Sequence, residues 1–323
     1  MISSITRLKF KYLSFISFNL ISILSKLHNV YYKFMKVYKE SADILRLNGK
    51  DVTDFLQRVS TNDFSNFEKS TLRRTLFLTE KGRIIDLVTV LNTGSEFIIA
   101  PTVNNGKSVS EYLNKYIVTE DIEVNTDRCE KYTLIPEFDN DYEFLGGCNN
   151  LENNLFYIDD YRFRKINILV FNEESDFIKV VLEQNEIISE SEFKSLAIDK
   201  AYLYDKNELN EEVNPLECGL KDYISFKKGC YIGQEVIARL DSQGKIPKIM
   251  LKFNSDKEMK TGDKIFFKEA NTDTECGFIT STGKSNFDYT ALGFIREINL
   301  NDEYNYYTNN DVNNIVLINK FKY

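Results

Sequence analysis

At 323 residues, 42 % hydrophobic and 28 % charged, the chain is long enough for two domains with sizeable cores. Its net charge of −8 is uneven: residues 1–34 hold Arg7, Lys9, Lys11, Lys26 and Lys33 and no acid, leaving an acidic remainder without the clustered Lys and Arg that nucleic-acid binding needs. The one histidine, His28, lies in that first stretch, which removes Ser-His-Asp and Cys-His catalysis, imidazole bases and His-containing metal sites from the rest.

Between Lys11 and Lys26 the run YLSFISFNLISILS is 14 residues long, short of the roughly 20 that a membrane-crossing helix needs. Three readings of 1–34 stand: a start misassigned upstream of Met35, a basic and acid-free mitochondrial presequence, or a secretory signal without a small-x-small cleavage site. The expectation is a cytoplasmic, membrane-free protein if Met35 opens the domain, and a mitochondrial-matrix protein if 1–34 is a presequence. Either way 1–34 is expected to be dispensable.

In chain order, DVTDFLQRVS sets Val52, Phe55, Leu56 and Val59 on one helical face with Asp51 as N-cap, and Thr-Asn-Asp at 61–63 ends the helix. TLFLT and IIDLVTVL read as strands around the glycine turn at 80–83, and FIIA at 97–100 as another strand. SVSEYLNKYIV gathers Val109, Tyr112, Leu113 and Tyr116 on a second helical face. The acidic, Asn-rich stretch 125–160 reads as a connection with one weak strand, and INILVF at 166–171 as a strand. SESEFKSLAI carries Ser189 and Glu192 at capping-box spacing, with Phe193, Leu196 and Ala197 facing inward. Past 246 come short β-rich runs (IMLKF, KIFFKEA, CGFITST, ALGFI, NIVLINKF) that predict a small barrel or sandwich. No sequence repeat is visible.

Gly-Lys-Ser occurs at 106–108 and 283–285, but Walker A spacing would need glycines at Pro101 and Phe278, so both read as loop punctuation. The cysteines at 129, 148, 218, 230 and 276 are odd in number and form no Cys-x-x-Cys, as expected of free thiols in a reducing compartment. Cys230, in KKGCYIGQE, lies between Gly229 and Gly233, after Lys227 and Lys228 and before a helix over 235–240. Locally two readings remain open: a small apolar residue packed inward, or a thiol presented on a turn with its thiolate favoured by the lysines and the helix start. Asp86 and Glu217 sit beside apolar residues, where a carboxylate is partner-satisfied, solvent-facing, or free to bind a pterin's amino-pyrimidinone edge.

Taken together these blocks carry a resemblance. ISFKKGCYIGQEVIARL (224–240), followed by GKIPKIML, resembles the signature of the YgfZ-type folate-binding proteins that assist iron–sulfur cluster assembly. LNGKDVTDFLQRVSTND (47–63), FLTEKGRIIDLVTVL (77–91), NPLECGL (214–220) and GFITSTGKSNFDYTALGFIRE (277–297) match other family blocks in order, and are shared with the parent superfamily of glycine-cleavage T-proteins. The resemblance implies an α+β fold: a T-protein-like three-lobed ring of two intertwined α/β subdomains over 35–245 and a C-terminal β-barrel over 246–323.

It also implies tetrahydrofolate as cofactor, for which Asp86 and Glu217 are the candidate contacts on the chemistry of their carboxylates alone. Cys230 would be a ligand to a [2Fe-2S] cluster shared with an A-type carrier or an iron–sulfur client, inside a motif of Lys228, Gly229, Tyr231, Gly233, Gln234, Glu235 and Arg239. In aminomethyltransferases the turn matching 82–87 carries two glycines and two consecutive acids. Here it reads Gly-Arg-Ile-Ile-Asp-Leu, one acid followed by Leu87, and Ala201 stands in LAIDKAY where glycine is common. Aminomethyl transfer is therefore the alternative function, and folate sensing a third.

Overall fold

The longest strands form the spine. The computed structural model describes residues 35–103, 106–136, 148–151, 154–159, 161–171, 176–269, 272–284, 288–301, 304–308 and 317–320. Residues 1–34, with His28, lie outside the described residues, and so do the expectations placed on them. β1 (Met35–Asn48) runs antiparallel to β5 (Glu123–Pro136) from Met35 opposite Pro136 to Asn48 opposite Glu123. This corrects the reading of 125–160 as a loose connection. Asn125–Arg128 face solvent, and a strand paired through its backbone needs no apolar residues on an exposed face.

After β1, α1 (Val52–Val59) buries the four apolar residues expected of it. Asp51 occupies the N-cap position but makes no capping bond; its carboxylate instead accepts from the Asp121 amide at 2.8 Å. β2 (Thr71–Leu78), β3 (Ile84–Asn92) and β4 (Phe97–Pro101) follow, then α2 (Gly106–Tyr116). The first Gly-Lys-Ser opens α2 rather than punctuating a loop. β5 leads to β6 (Cys148–Leu151), β7 (Asn154–Asp159), β8 (Lys165–Val170), α3 (Asp176–Gln184), β9 (Glu186–Ile187) and α4 (Glu190–Asp199). The capping box of Ser189 and Glu192 forms as its spacing requires.

These strands make a nine-stranded sheet in the order β2-β3-β4-β1-β5-β8-β7-β6, with β9 adding parallel to β1. About the β1–β5 seam the topology repeats. β1 pairs with β4, β4 with β3 and β3 with β2; β5 pairs with β8, β8 with β7 and β7 with β6. A helix follows the last strand of each half. The repeat is invisible in sequence because strand pairing uses backbone groups and asks of the side chains only an inward–outward alternation.

α5 (Gln234–Gln243) leads to a second, antiparallel sheet: β10 (Lys248–Ser255), β11 (Lys264–Glu269), β12 (Thr272–Lys284), β13 (Tyr289–Arg296), β14 (Tyr306–Thr308) and β15 (Leu317–Lys320). Its order is β14-β11-β12-β13-β10-β15, around a core of Leu251, Phe253, Ile265, Ile279 and Tyr306. The second Gly-Lys-Ser starts within β12, again not in a loop. Here Gly283 lets β12 approach α4, since a Cβ on it would lie 2.9 Å from Ser195 Cα, and the Lys284 amide donates to Ser195 Oγ at 3.1 Å.

Candidate functional site

The segment from Ser225 to Gly233 joins a 3₁₀ turn, Lys221–Tyr223, to α5. Phe226, Lys227, Gly229 and Cys230 on it are exposed, and Cys230 is a free thiol. Cys129, Cys218 and Cys276 are buried, so among the cysteines whose side chains are described only Cys230 is presented. Tyr231 is buried, and Gln234 closes the turn: its amide donates to Tyr231 O at 3.2 Å and its side-chain Oε1 accepts from the Tyr231 amide at 3.3 Å. Glu235 and Arg239 point outward from α5, which is anchored by Ile237.

Lys228 has a different task from the one its sequence position suggests. Its ammonium donates to Ser60 O at 2.8 Å and to Asn62 O at 2.5 Å, at the C-terminal end of α1, and lies 5.5 Å from the Tyr231 ring centre. A cation on helix-terminal carbonyls is well placed. Burial lowers Lys228 to about 8, with Asp63 pulling the other way. The lysine therefore fastens the loop to the Thr-Asn-Asp turn rather than serving the thiol.

Two glycines make the second contact of this region. Gly233, at φ +82°, is the N-cap of α5, and a Cβ there would lie 2.6 Å from Thr79 O and 3.1 Å from Gly82 Cα. Gly82, at φ +66°, faces back, and a Cβ on it would lie 3.0 Å from Val236 Cβ. The Glu-Lys-Gly-Arg turn thus packs on the start of α5, an approach that side chains would block. Gly233→Ala is expected to cost about 2 kcal/mol or more, read by urea unfolding. A loss below about 0.5 kcal/mol would mean the approach is not tight.

Asn214 ties the same turn to the loop that holds Glu217. Its Nδ2 donates to Gly82 O at 2.9 Å, its Oδ1 accepts from the Leu216 amide at 2.9 Å, and its own amide donates to Glu217 Oε2 at 2.9 Å. This is a capping box at the start of a 3₁₀ turn, Pro215–Cys218. Glu217 is buried, 3.7 Å from Arg83 and 3.9 Å from Lys248, and burial still raises its carboxyl above the ordinary range.

Deeper in the first sheet lies a cluster of buried charges and tyrosines. Asp159 pairs with Arg74, and its Oδ2 lies 3.1 Å from Lys165 Nζ. Its Oδ1 accepts from the Tyr161 amide at 2.9 Å. Burial pushes Asp159 up, but Arg74 and Lys165 together hold it below the usual aspartate value. Burial lowers Lys165 to about 7, with Asp159 opposing, and its ammonium sits 3.9 Å from the Tyr202 ring centre. The Arg74 guanidinium lies 5.0 Å from the Tyr161 ring centre, and Tyr161 packs against Tyr202 at 5.6 Å and Tyr223 at 5.4 Å.

Two polar atoms here remain unpaired among the described residues. Arg74 Nη1 has no hydrogen-bond partner, and the Tyr161 hydroxyl, although within the field of Arg162, makes no hydrogen bond of normal geometry. Orphaned buried donors between aromatic faces suit a flat heterocycle with acceptor atoms.

Asp86 is wholly buried on β3. Its Oδ1 accepts from the Thr102 amide at 3.2 Å, its Oδ2 has no hydrogen-bond partner of normal geometry among the described residues, and burial raises it to about 7. Leu87 belongs to the same hydrophobic cluster as Tyr161 and Tyr202, whereas Ile85 and Val88 belong to a separate core. The β3 residue that shares the tyrosines' cluster is therefore not an acid. Ala201 sits at φ +54°, a left-handed backbone that glycine adopts freely.

Glu208 lies between this region and the second sheet, against Thr280 and Ser281 of β12, and burial raises it to about 7. A carboxyl raised from about 4.5 when unfolded to about 7 when folded stabilises the fold at acid pH. That contribution is lost as pH rises through about 7. Glu208→Gln is expected to flatten this part of the pH dependence of urea unfolding between pH 5 and 8 (with Asp86 contributing a second part). An unchanged slope would mean that Glu208 stays ionised throughout.

The structure thus places Lys228, Gly229, Cys230, Tyr231, Gly233, Gln234, Glu235 and Arg239 in one exposed corner, with Glu217 behind it through Asn214 and Gly82. Asp86 is not part of that corner. Arg74, Asp159, Tyr161, Lys165, Tyr202 and Glu208 were missed, because nothing in their local sequence separates a buried charge from a surface one. The one available signal was Asp-Asp-Tyr-Arg-Phe-Arg-Lys (159–165), a charge-rich run directly before an apolar strand. Among the described residues no group of three or more His, Cys, Asp or Glu could hold a metal, and no helix is long and apolar enough to cross a membrane.

No protein-family model matches the chain. It is similar to a putative chloroplastic transferase of Arabidopsis thaliana, 25 % identical in an alignment of 283 positions that covers 78 % of this chain and 63 % of that protein. It is also similar to the tRNA-modifying protein YgfZ of Blochmanniella pennsylvanica, 23 % identical over 68 % of this chain and 72 % of that one. An aminomethyltransferase of Thermoanaerobacter pseudethanolicus is 23 % identical over 64 % of this chain and 63 % of its own length. The match therefore spans a little under two thirds of the first and third of these relatives. In fold, the chain matches glycine cleavage system aminomethyltransferase T from Bartonella henselae with a TM-score of 0.77, over 90 % of this chain and 86 % of that one, at 13 % identity.

Proposed function

For this chain, a YgfZ-type member of the glycine-cleavage T-protein superfamily, we propose a role as a tetrahydrofolate-binding accessory factor. It assists assembly or repair of iron–sulfur clusters in client enzymes, with Cys230 as a cluster ligand. The observation that carries the reading is the presentation of Cys230: one exposed thiol on a glycine-flanked loop, while Cys129, Cys218 and Cys276 are buried. One thiolate cannot hold a cluster, so the remaining ligands of a [2Fe-2S] cargo come from an A-type carrier, a client or glutathione.

The folate is assigned to the interior cluster. There the unpaired Arg74 Nη1 and Tyr161 hydroxyl, among Tyr202 and Tyr223, offer donors and ring faces to a pterin. Glu217 and Asp86 stand as further candidate contacts. Isothermal titration with tetrahydrofolate tests the assignment: Tyr161→Phe is expected to weaken binding about tenfold, the scale of one lost hydrogen bond. Equal affinity would move the folate elsewhere.

The alternative reading is a folate-dependent aminomethyltransferase. Leu87 argues against it, since it stands where aminomethyltransferases carry the second of two consecutive acids. Mixing the pure protein with tetrahydrofolate and a methylamine donor separates the two. The accessory-factor reading expects no methylene-tetrahydrofolate; turnover would establish the enzyme.

A further inference from the structure

The Thr-Asn-Asp turn at 61–63 takes no part in either site, yet it is bonded to both. On the inner side, Thr61 Oγ1 donates to Tyr223 O at 2.7 Å, and Tyr223 is the ring that meets Tyr161 edge-on. The same hydroxyl accepts from the Leu76 amide at 3.0 Å, and Asn62 Nδ2 donates to the backbone carbonyl of Arg74 at 2.8 Å. On the outer side, the Ser225 amide donates to Thr61 O at 2.9 Å, and Lys228 clamps Ser60 O and Asn62 O.

The loop itself has few other holds. A Cβ on Gly229 would meet nothing within 4 Å, so between Lys228 and the buried Tyr231 the chain carries Cys230 across open space. The position of Cys230 thus depends on two fastenings, and one of them is the turn that also grips Arg74 and Tyr223.

We propose that a ligand in the Arg74–Tyr161 cluster regulates the Cys230 loop through the Thr61–Asn62 turn. A ligand that engages Arg74 Nη1 and the Tyr161 hydroxyl fixes Arg74 and Tyr223, hence Thr61 and Asn62, hence the carbonyls that Lys228 holds. The loop is then ordered when folate is present and looser when it is not. The inference rests on the assignment of folate to the interior cluster. A coupling of ordinary size, about 1–3 kcal/mol, corresponds to about 5-fold or more in the opening equilibrium.

The test is amide hydrogen exchange of residues 224–231 in the full chain, with and without saturating tetrahydrofolate, beside calorimetric titration on the same samples. The expected result is about a 5-fold or greater slowing on binding. Thr61→Val is expected to keep folate affinity within about twofold and to lose the slowing. Lys228→Met, on the partly exposed side, should give fast exchange with or without folate. Absence of folate binding would overturn the folate assignment and this inference together. Binding without slowed exchange would overturn only the coupling, and slowing that survives in both variants would overturn the route through the turn.

Discussion

Cys230→Ser is expected to fold as the parent does and to lose the cluster function entirely. The side chain is exposed on an open loop, so exchanging sulfur for oxygen disturbs no packing, and the unfolding free energy should move by less than about 0.5 kcal/mol. Cys129, Cys218 and Cys276 cannot take over. Burial pushes Cys129 and Cys276 up to about 12 and Cys218 well above its ordinary value, so all three remain protonated thiols out of reach of a partner. In a deletion strain the variant should accumulate normally and fail to restore a radical-SAM iron–sulfur enzyme. Full rescue would show that the thiol is dispensable.

Asp159→Ala carries the largest expected loss of stability. It would leave Arg74 and Lys165 facing each other in the interior, both buried and without their shared counter-charge. Breaking a buried ion cluster by removing one partner costs about 3–5 kcal/mol, more than the cluster contributes relative to an apolar replacement. The same argument predicts that adding Lys165→Met recovers part of the loss, since burial already lowers Lys165 to about 7 and Asp159 is the partner that keeps it charged. Urea unfolding of the parent, the single and the double variant measures both. A single-variant loss below about 1 kcal/mol would mean that water reaches the cluster.

The elements that the sequence made legible are those whose side chains report their surroundings locally. The face Val52–Phe55–Leu56–Val59, the capping box at Ser189 and the apolar runs of β3, β8 and β10 are each written within about two turns or six residues. β5 was not legible, because its partner β1 lies more than seventy residues away and its exposed half reads as a loop. The duplicated strand order was hidden for the same reason. The Cys230 corner was legible as a motif, but the use of Lys228 was not: proximity in sequence suggested the thiol, and the fold gives the ammonium to carbonyls at 60 and 62. For Asp86 and Glu217, apolar neighbours left a partner-satisfied and a solvent-facing acid both open, and the fold buries both. Their partners come from Thr102 and Asn214, and the place of Leu87 in the tyrosines' cluster required the pleat to be known.

The reading of this chain as a folate-binding factor that shares a cluster through one presented thiol is tested most directly by anaerobic reconstitution. The full chain is mixed with an A-type carrier, ferrous iron and sulfide, and the visible absorbance of a shared cluster is followed in the co-eluting complex. The account predicts an absorbance that requires both proteins and disappears with Cys230→Ser. A cluster of equal yield on the Cys230→Ser chain, or on the carrier alone with no complex formed, would contradict it.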